Sequence, residues 1–154
     1  MMKDGSPVKI DFVFFPAGHK PHATTPHRNV NKMGTDGDTT LTELKQLISH
    51  FVEERDWLQY HDPKNLVMAL MSEVGELADQ FRWVDNTASQ AFASSPDHAE
   101  EVADELADVM MFAIEFASVC NIDISSAIAS KLDKNATRYP VEKAKGSCKK
   151  YDRL

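Results

Sequence analysis

The chain has 154 residues, 42% apolar and 27% charged, with a net charge of −7 and two cysteines. That length supports one domain with its own core, and Cys120 and Cys148, far apart and in no CxxC, exclude a disulfide scaffold or a zinc ribbon and fit a reducing compartment. Residues 1–40 carry a net +1, residues 41–130 −13 and residues 131–154 +5, so the acidic middle would repel a nucleic-acid backbone and argues against polymer DNA or RNA as a partner.

Residues 1–38 differ from the rest, holding four of the seven Pro, four of the six Gly and three of the six His. No helical or alternating period persists there, so the segment is expected to be a disordered or extended extension. Its apolar run Ile10–Phe15 is broken by Asp11 and stopped by Pro16, far short of the roughly 18 residues of a membrane span, and no membrane partner is expected. The start of the chain resembles neither a signal peptide nor, with one Arg before residue 40, a transit peptide, which leads to the expectation of a cytoplasmic protein, a nuclear or mitochondrial location remaining open.

From residue 39 the pattern turns helical. Thr40-Leu41-Thr42-Glu43 has capping-box spacing, and Leu41, Leu44, Ile48, Phe51, Arg55 and Leu58 recur at helical intervals, predicting a first helix to about Tyr60. Asp62-Pro63 reads as an N-cap and first-turn proline, opening a second helix to about Trp83 with Leu66, Leu70, Leu77 and Phe81 on its apolar side. Asp85–Ser95 reads as a polar connection. Ser95-Pro96 predicts the start of a third helix to about Val119, Asn121 and Asp123 mark a turn, and a fourth helix runs from about Ile124 to Arg138 before Pro140. The expected class is all-α, a compact four-helix bundle. Within it Cys120 is expected to be a buried small hydrophobe, and His98, lacking an evident partner, to lie on the surface.

Two carboxylate pairs carry the chemistry. Glu73 and Glu76 stand three apart on the second helix, Glu105 and Asp108 three apart on the third, and such spacing puts each pair on one helical face. Apolar neighbours (Val74 and Leu77; Leu106 and Val109) place both pairs near the core edge. If the helices pack antiparallel, four carboxylates meet and repel unless a cation sits between them. All-oxygen ligands suit a hard cation, Mg²⁺ or Mn²⁺. Taken singly, either pair is equally an ordinary solvent-facing set of acids. A di-iron bundle would want Glu-x-x-His on two helices, and no His stands at that spacing.

The fourth helix supplies the complement: Lys131, Asn135 and Arg138 share a stripe, and Lys143, Lys145, Lys149 and Lys150 follow. Lys and Arg heads are the usual partners of phosphate, although a basic helix C-terminus is also favoured by the dipole alone. Beside the carboxylates, a metal–triphosphate site accounts for both sets. Trp57, Tyr60 and His61, then Phe81 and Trp83, offer rings that can stack on a base or pack in a core.

These residues resemble a known family. Glu73-Val74-Gly75-Glu76 with Glu105-Leu106-Ala107-Asp108 is similar to the ExxE…ExxD signature of the MazG-like all-α nucleoside triphosphate pyrophosphatases. The ordered blocks Glu54–Trp57, His61–Leu66, Glu73–Leu77 with Trp83, Lys131–Asn135 with Arg138-Tyr139-Pro140, and Lys149-Lys150-Tyr151 resemble its dCTP pyrophosphatase branch. The resemblance spans roughly residues 39–151 as one domain, with 152–154 a tail.

It implies a four-helix MazG-like bundle that hydrolyses a nucleoside triphosphate, dCTP or a 5-modified dCTP such as 5-methyl-dCTP, to monophosphate and pyrophosphate in cleaning the nucleotide pool. By position it assigns Glu73, Glu76, Glu105 and Asp108 to Mg²⁺, with Glu76 or Asp108 catalytic. It assigns Lys131, Asn135, Arg138, Lys149 (or Lys150) and Tyr151 to the triphosphate, and Trp57, His61 and Trp83 to base and sugar. Phe112 stands in the substrate region where close relatives are expected to carry a Tyr, so a hydroxyl is lost there. A homo-oligomer is implied, a tetramer before a dimer, whose subunits share site residues. The alternatives are a dUTP or broad-specificity pyrophosphatase, and a non-catalytic nucleotide-binding helical oligomer.

Overall fold

The computed structural model describes residues 34–154, so the expectation for the N-terminal extension lies largely outside the described residues. Within them there is no strand, and the all-α class holds. Four long helices, α1 (Leu41–Glu54), α2 (Pro63–Phe81), α4 (Ala99–Val119) and α5 (Ile124–Arg138), are joined by the short α3 (Ser89–Ala93) and followed by α6 (Val141–Ala144), with 3₁₀ turns at Leu58–Tyr60 and Tyr151–Arg153.

Local chemistry sets the helix starts. Thr40 caps α1 in a full capping box, its hydroxyl accepting from the Glu43 N–H while the Glu43 carboxylate accepts from the Thr40 N–H. The Asp62 carboxylate accepts from the Asn65 N–H at 3.1 Å with Pro63 at the first helical position. Asp123 caps α5 by accepting from the Ser126 N–H at 2.8 Å.

Two helices end where the backbone turns left-handed, α1 earlier than expected and α4 at Val119 as expected. α1 stops at Glu54 rather than Tyr60 because Asp56 sits at φ 54°, and the Trp57 and Asp56 N–H groups bond back to the Val52 and Glu53 carbonyls. α4 ends in the same motif: Asn121 at φ 53°, with the Ile122 and Asn121 N–H groups on the Ala117 and Ser118 carbonyls. α4 begins at Ala99, three residues after Pro96, because His98 and Ala99 first form a turn on the Ser95 carbonyl. The stretch expected to be a loop holds α3, which presents Phe92 edge-on to Phe81 (ring centroids 5.5 Å) and stacked on His98 (4.1 Å). His98 is therefore half-buried against a ring rather than a free surface group, and Cys120, at the α4 C-cap, is half-buried rather than buried.

α2 and α4 form the main packed pair, α1 lies against α4, and Leu66, Val52, Ile114 and Ala117 are the buried apolar centre. α5 leaves α4 at 100° and packs on neither α2 nor α4 as these pack on each other. No single helix among the described residues is long and apolar enough to cross a membrane.

Candidate active site

The seam between α2 and α4 brings the two acidic pairs together. One carboxylate oxygen from each of Glu73, Glu76 and Glu105 lies within 4.8 Å of the others. Asp108, one turn beyond Glu105, is near enough to raise the Glu73 carboxyl by repulsion. Glu105 is buried, and Glu73, Glu76 and Asp108 are half-buried. Burial first, then repulsion from Glu76, Asp108 and Glu105, pushes the Glu73 carboxyl up to about 7 from 4.5. A set of oxygens whose charges oppose one another at this range fits a divalent cation: it would neutralise them and take all of them as ligands. A di-iron set would need histidines, and among the described residues the clustered ligands are carboxylates alone.

At the other end of the seam, His61, just before α2, faces Glu115 near the end of α4, with Nδ1 and Oε1 3.6 Å apart. This pair and the acid cluster together make α2 and α4 antiparallel. Phe112 is half-buried on α4 between Asp108 and Glu115. Trp57 is half-buried and edge-on to Phe51 at 5.8 Å, with the Arg55 guanidinium 3.6 Å over the Phe51 ring. Trp83, just past α2, is 91% exposed.

The basic set lies elsewhere. Lys131 and Arg138 are exposed on α5 and Asn135 is half-buried, its carbonyl accepting from the Tyr139 N–H. Arg138 and Lys150 stand over the Tyr151 ring at 5.2 and 5.7 Å, and Tyr139 meets that ring edge-on at 5.9 Å. Arg138 and Tyr151 are thus brought together, while Lys149 is exposed in the segment leading to them. Sequence reasoning missed Glu115; its signal is an acid inside the otherwise apolar run Met110–Ala117. A cleft of about 400 Å³ lined by Lys45, Gln46, Ser49, His50, Glu53 and Ser118 contains none of the predicted site residues.

Known proteins are similar to this chain. Residues 69–154 match the MazG-like family. The chain is 40% identical over 117 residues to mouse (Mus musculus) dCTP pyrophosphatase 1 and 38% identical to the human (Homo sapiens) protein of that name, covering 76% of this chain and 69% of each relative. Among solved structures, a pyrophosphatase from Archaeoglobus fulgidus is 32% identical with a TM-score of 0.61, over 65% of this chain and 92% of that one. The match takes in α2 from Ala69 onward and all of α4, the helices that carry the four acids, and the chain belongs to the MazG-like family, in its dCTP pyrophosphatase branch.

Proposed function

We propose that this chain is a divalent-metal-dependent pyrophosphatase that hydrolyses dCTP, and 5-modified dCTP such as 5-methyl-dCTP, to the monophosphate and pyrophosphate. The observation that carries the reading is the convergence of Glu73, Glu76 and Glu105, with Asp108 beside them, on one seam. Relatives named dCTP pyrophosphatase 1 at about 40% identity support the substrate.

These four acids would hold the cation, Mg²⁺ before Mn²⁺; when bound, it polarises phosphoryl oxygens and favours ionisation of a water. Glu76 orients the attacking water and takes its proton, with Asp108 as the second catalytic carboxylate. Attack at the α-phosphorus breaks the bond to the bridging oxygen, and the electrons leave with pyrophosphate. Lys131, Asn135, Arg138, Lys149 and Tyr151 hold the triphosphate and the departing charge. Trp57, His61, Trp83 and Phe112 frame base and sugar. Because α5 stands away from the α2–α4 seam, we place the basic stripe of a neighbouring subunit over the site, in a homo-oligomer, a tetramer before a dimer. A nucleotide-pool role in the cytoplasm accords with this chemistry.

Glu76→Gln and Asp108→Asn test the assignment because each removes charge and keeps size. Each is expected to lower dCTP turnover at least about 100-fold while the far-ultraviolet circular dichroism stays unchanged. Turnover near the wild-type rate in either variant would contradict the assignment.

A further inference from the structure

Glu115 is a buried acid that the proposed chemistry does not use. It is 4% exposed on α4, among Ile114 and Ala117, which are also buried. Its Oε1 lies 3.6 Å from His61 Nδ1, and neither its Oε2 nor His61 Nδ1, both fully buried, has a hydrogen-bond partner among the described residues. A buried carboxylate is stable only where something donates to it. His61 Nδ1 faces it, at a separation that a shift of a few tenths of an ångström turns into a hydrogen bond. A carboxylate accepts and does not donate, so the hydrogen between the two belongs to Nδ1 in the neutral ring and in the imidazolium alike.

We propose that Glu115 is a positioning residue that fixes the His61 proton on Nδ1, so that the neutral ring offers Nε2 as an acceptor to an amino or hydroxyl group of the nucleoside. The inference rests on the reading of His61 as a base- and sugar-framing residue. The register of the seam agrees with that end of the substrate. Glu115 stands seven residues past Asp108 and ten past Glu105, about 10–15 Å along α4 at 1.5 Å per residue. That is the scale of the substrate from its phosphates to its base. Glu115 is thus remote from the bond that breaks, and its effect belongs in binding rather than in turnover.

Two measurements on the full chain decide it. In ¹⁵N-labelled protein, with His61 assigned by its disappearance in His61→Asn, the ring nitrogens are expected to report the Nδ1–H form when neutral. A proton on Nε2 would overturn the proposal without any change at Glu115. In steady-state kinetics with dCTP and Mg²⁺, Glu115→Ala is expected to raise KM about tenfold with kcat within about twofold, and to add nothing further in the His61→Asn background. Additive losses, or a fall in kcat alone, would overturn it. If His61→Asn leaves KM unchanged while the Nδ1–H signature stands, the base-framing reading of His61 fails and the functional half of the proposal fails with it. A wrong proton with a raised KM removes Glu115 alone.

Discussion

The charge of Glu73 depends on what its neighbours hold. Its carboxyl is raised to about 7 by burial and by Glu76, Asp108 and Glu105, against 4.5 for the free group. The folded, metal-free protein therefore binds more protons at this site than the unfolded chain between those two values. The resulting stability is full below about 4.5 and is lost as pH rises through about 7. Relative to Glu73→Gln, metal-free wild type is expected to lose melting temperature between about pH 5 and pH 8, and Mg²⁺ should raise it more at about pH 8 than at about pH 5.5, as scanning calorimetry reads. A larger Mg²⁺ effect at the lower pH would contradict the cation assignment. Arg138 belongs to the same scale. Its guanidinium stands over Tyr151, at the end of the basic stripe. Arg138→Ala is expected to weaken triphosphate binding about tenfold and monophosphate binding much less, by titration with a non-hydrolysable analogue. Equal losses would put its role elsewhere.

At the scale of elements, the starts of α1, α2 and α5 and the ends of α4 and α5 were legible, whereas the start of α4 and the end of α1 were not. Thr40, Asp62 and Asp123 are side-chain caps whose partners lie three residues on, so a short window of sequence contains the whole interaction. The end of α1 depends on Asp56 taking a left-handed backbone, which that residue type does not announce as a glycine would, whereas Asn121, in the same conformation, marks the turn in the sequence and α4 ends where expected. The apolar spacing of Leu58 continued the first helix on paper because the 3₁₀ turn after Asp56 keeps a similar period. α3 was hidden because its fold depends on Phe92 reaching Phe81 and His98, contacts that no periodicity encodes. The acidic pairs were legible because each sits on one helix at i, i+3. Glu115 was not, because its partner His61 is distant in sequence. Asn121→Val, a branched residue at φ 53°, is expected to cost about 1–2 kcal/mol in urea unfolding, whereas Asn121→Gly should be neutral or stabilising. Equal stability of the two would remove the strain argument.

At the scale of the molecule, α2 and α4 make an antiparallel seam with the acid cluster at one end and the His61–Glu115 pair at the other. α5 turns away and leaves Ile128 and Leu132 largely exposed, as are Met68, Met71, Leu106 and Met110 on the main pair. An isolated chain seldom leaves so much apolar surface uncovered, and this supports the proposed oligomer in which basic stripe and acidic seam come from different subunits. The central claim is that this assembly cleaves dCTP to release pyrophosphate. It is tested most directly by measuring pyrophosphate release with Mg²⁺ from dCTP, 5-methyl-dCTP, dUTP, dTTP, dATP, dGTP and CTP. The account predicts release that requires the cation and is fastest with dCTP or 5-methyl-dCTP; no pyrophosphate from any of these nucleotides would contradict it and leave a nucleotide-binding helical oligomer.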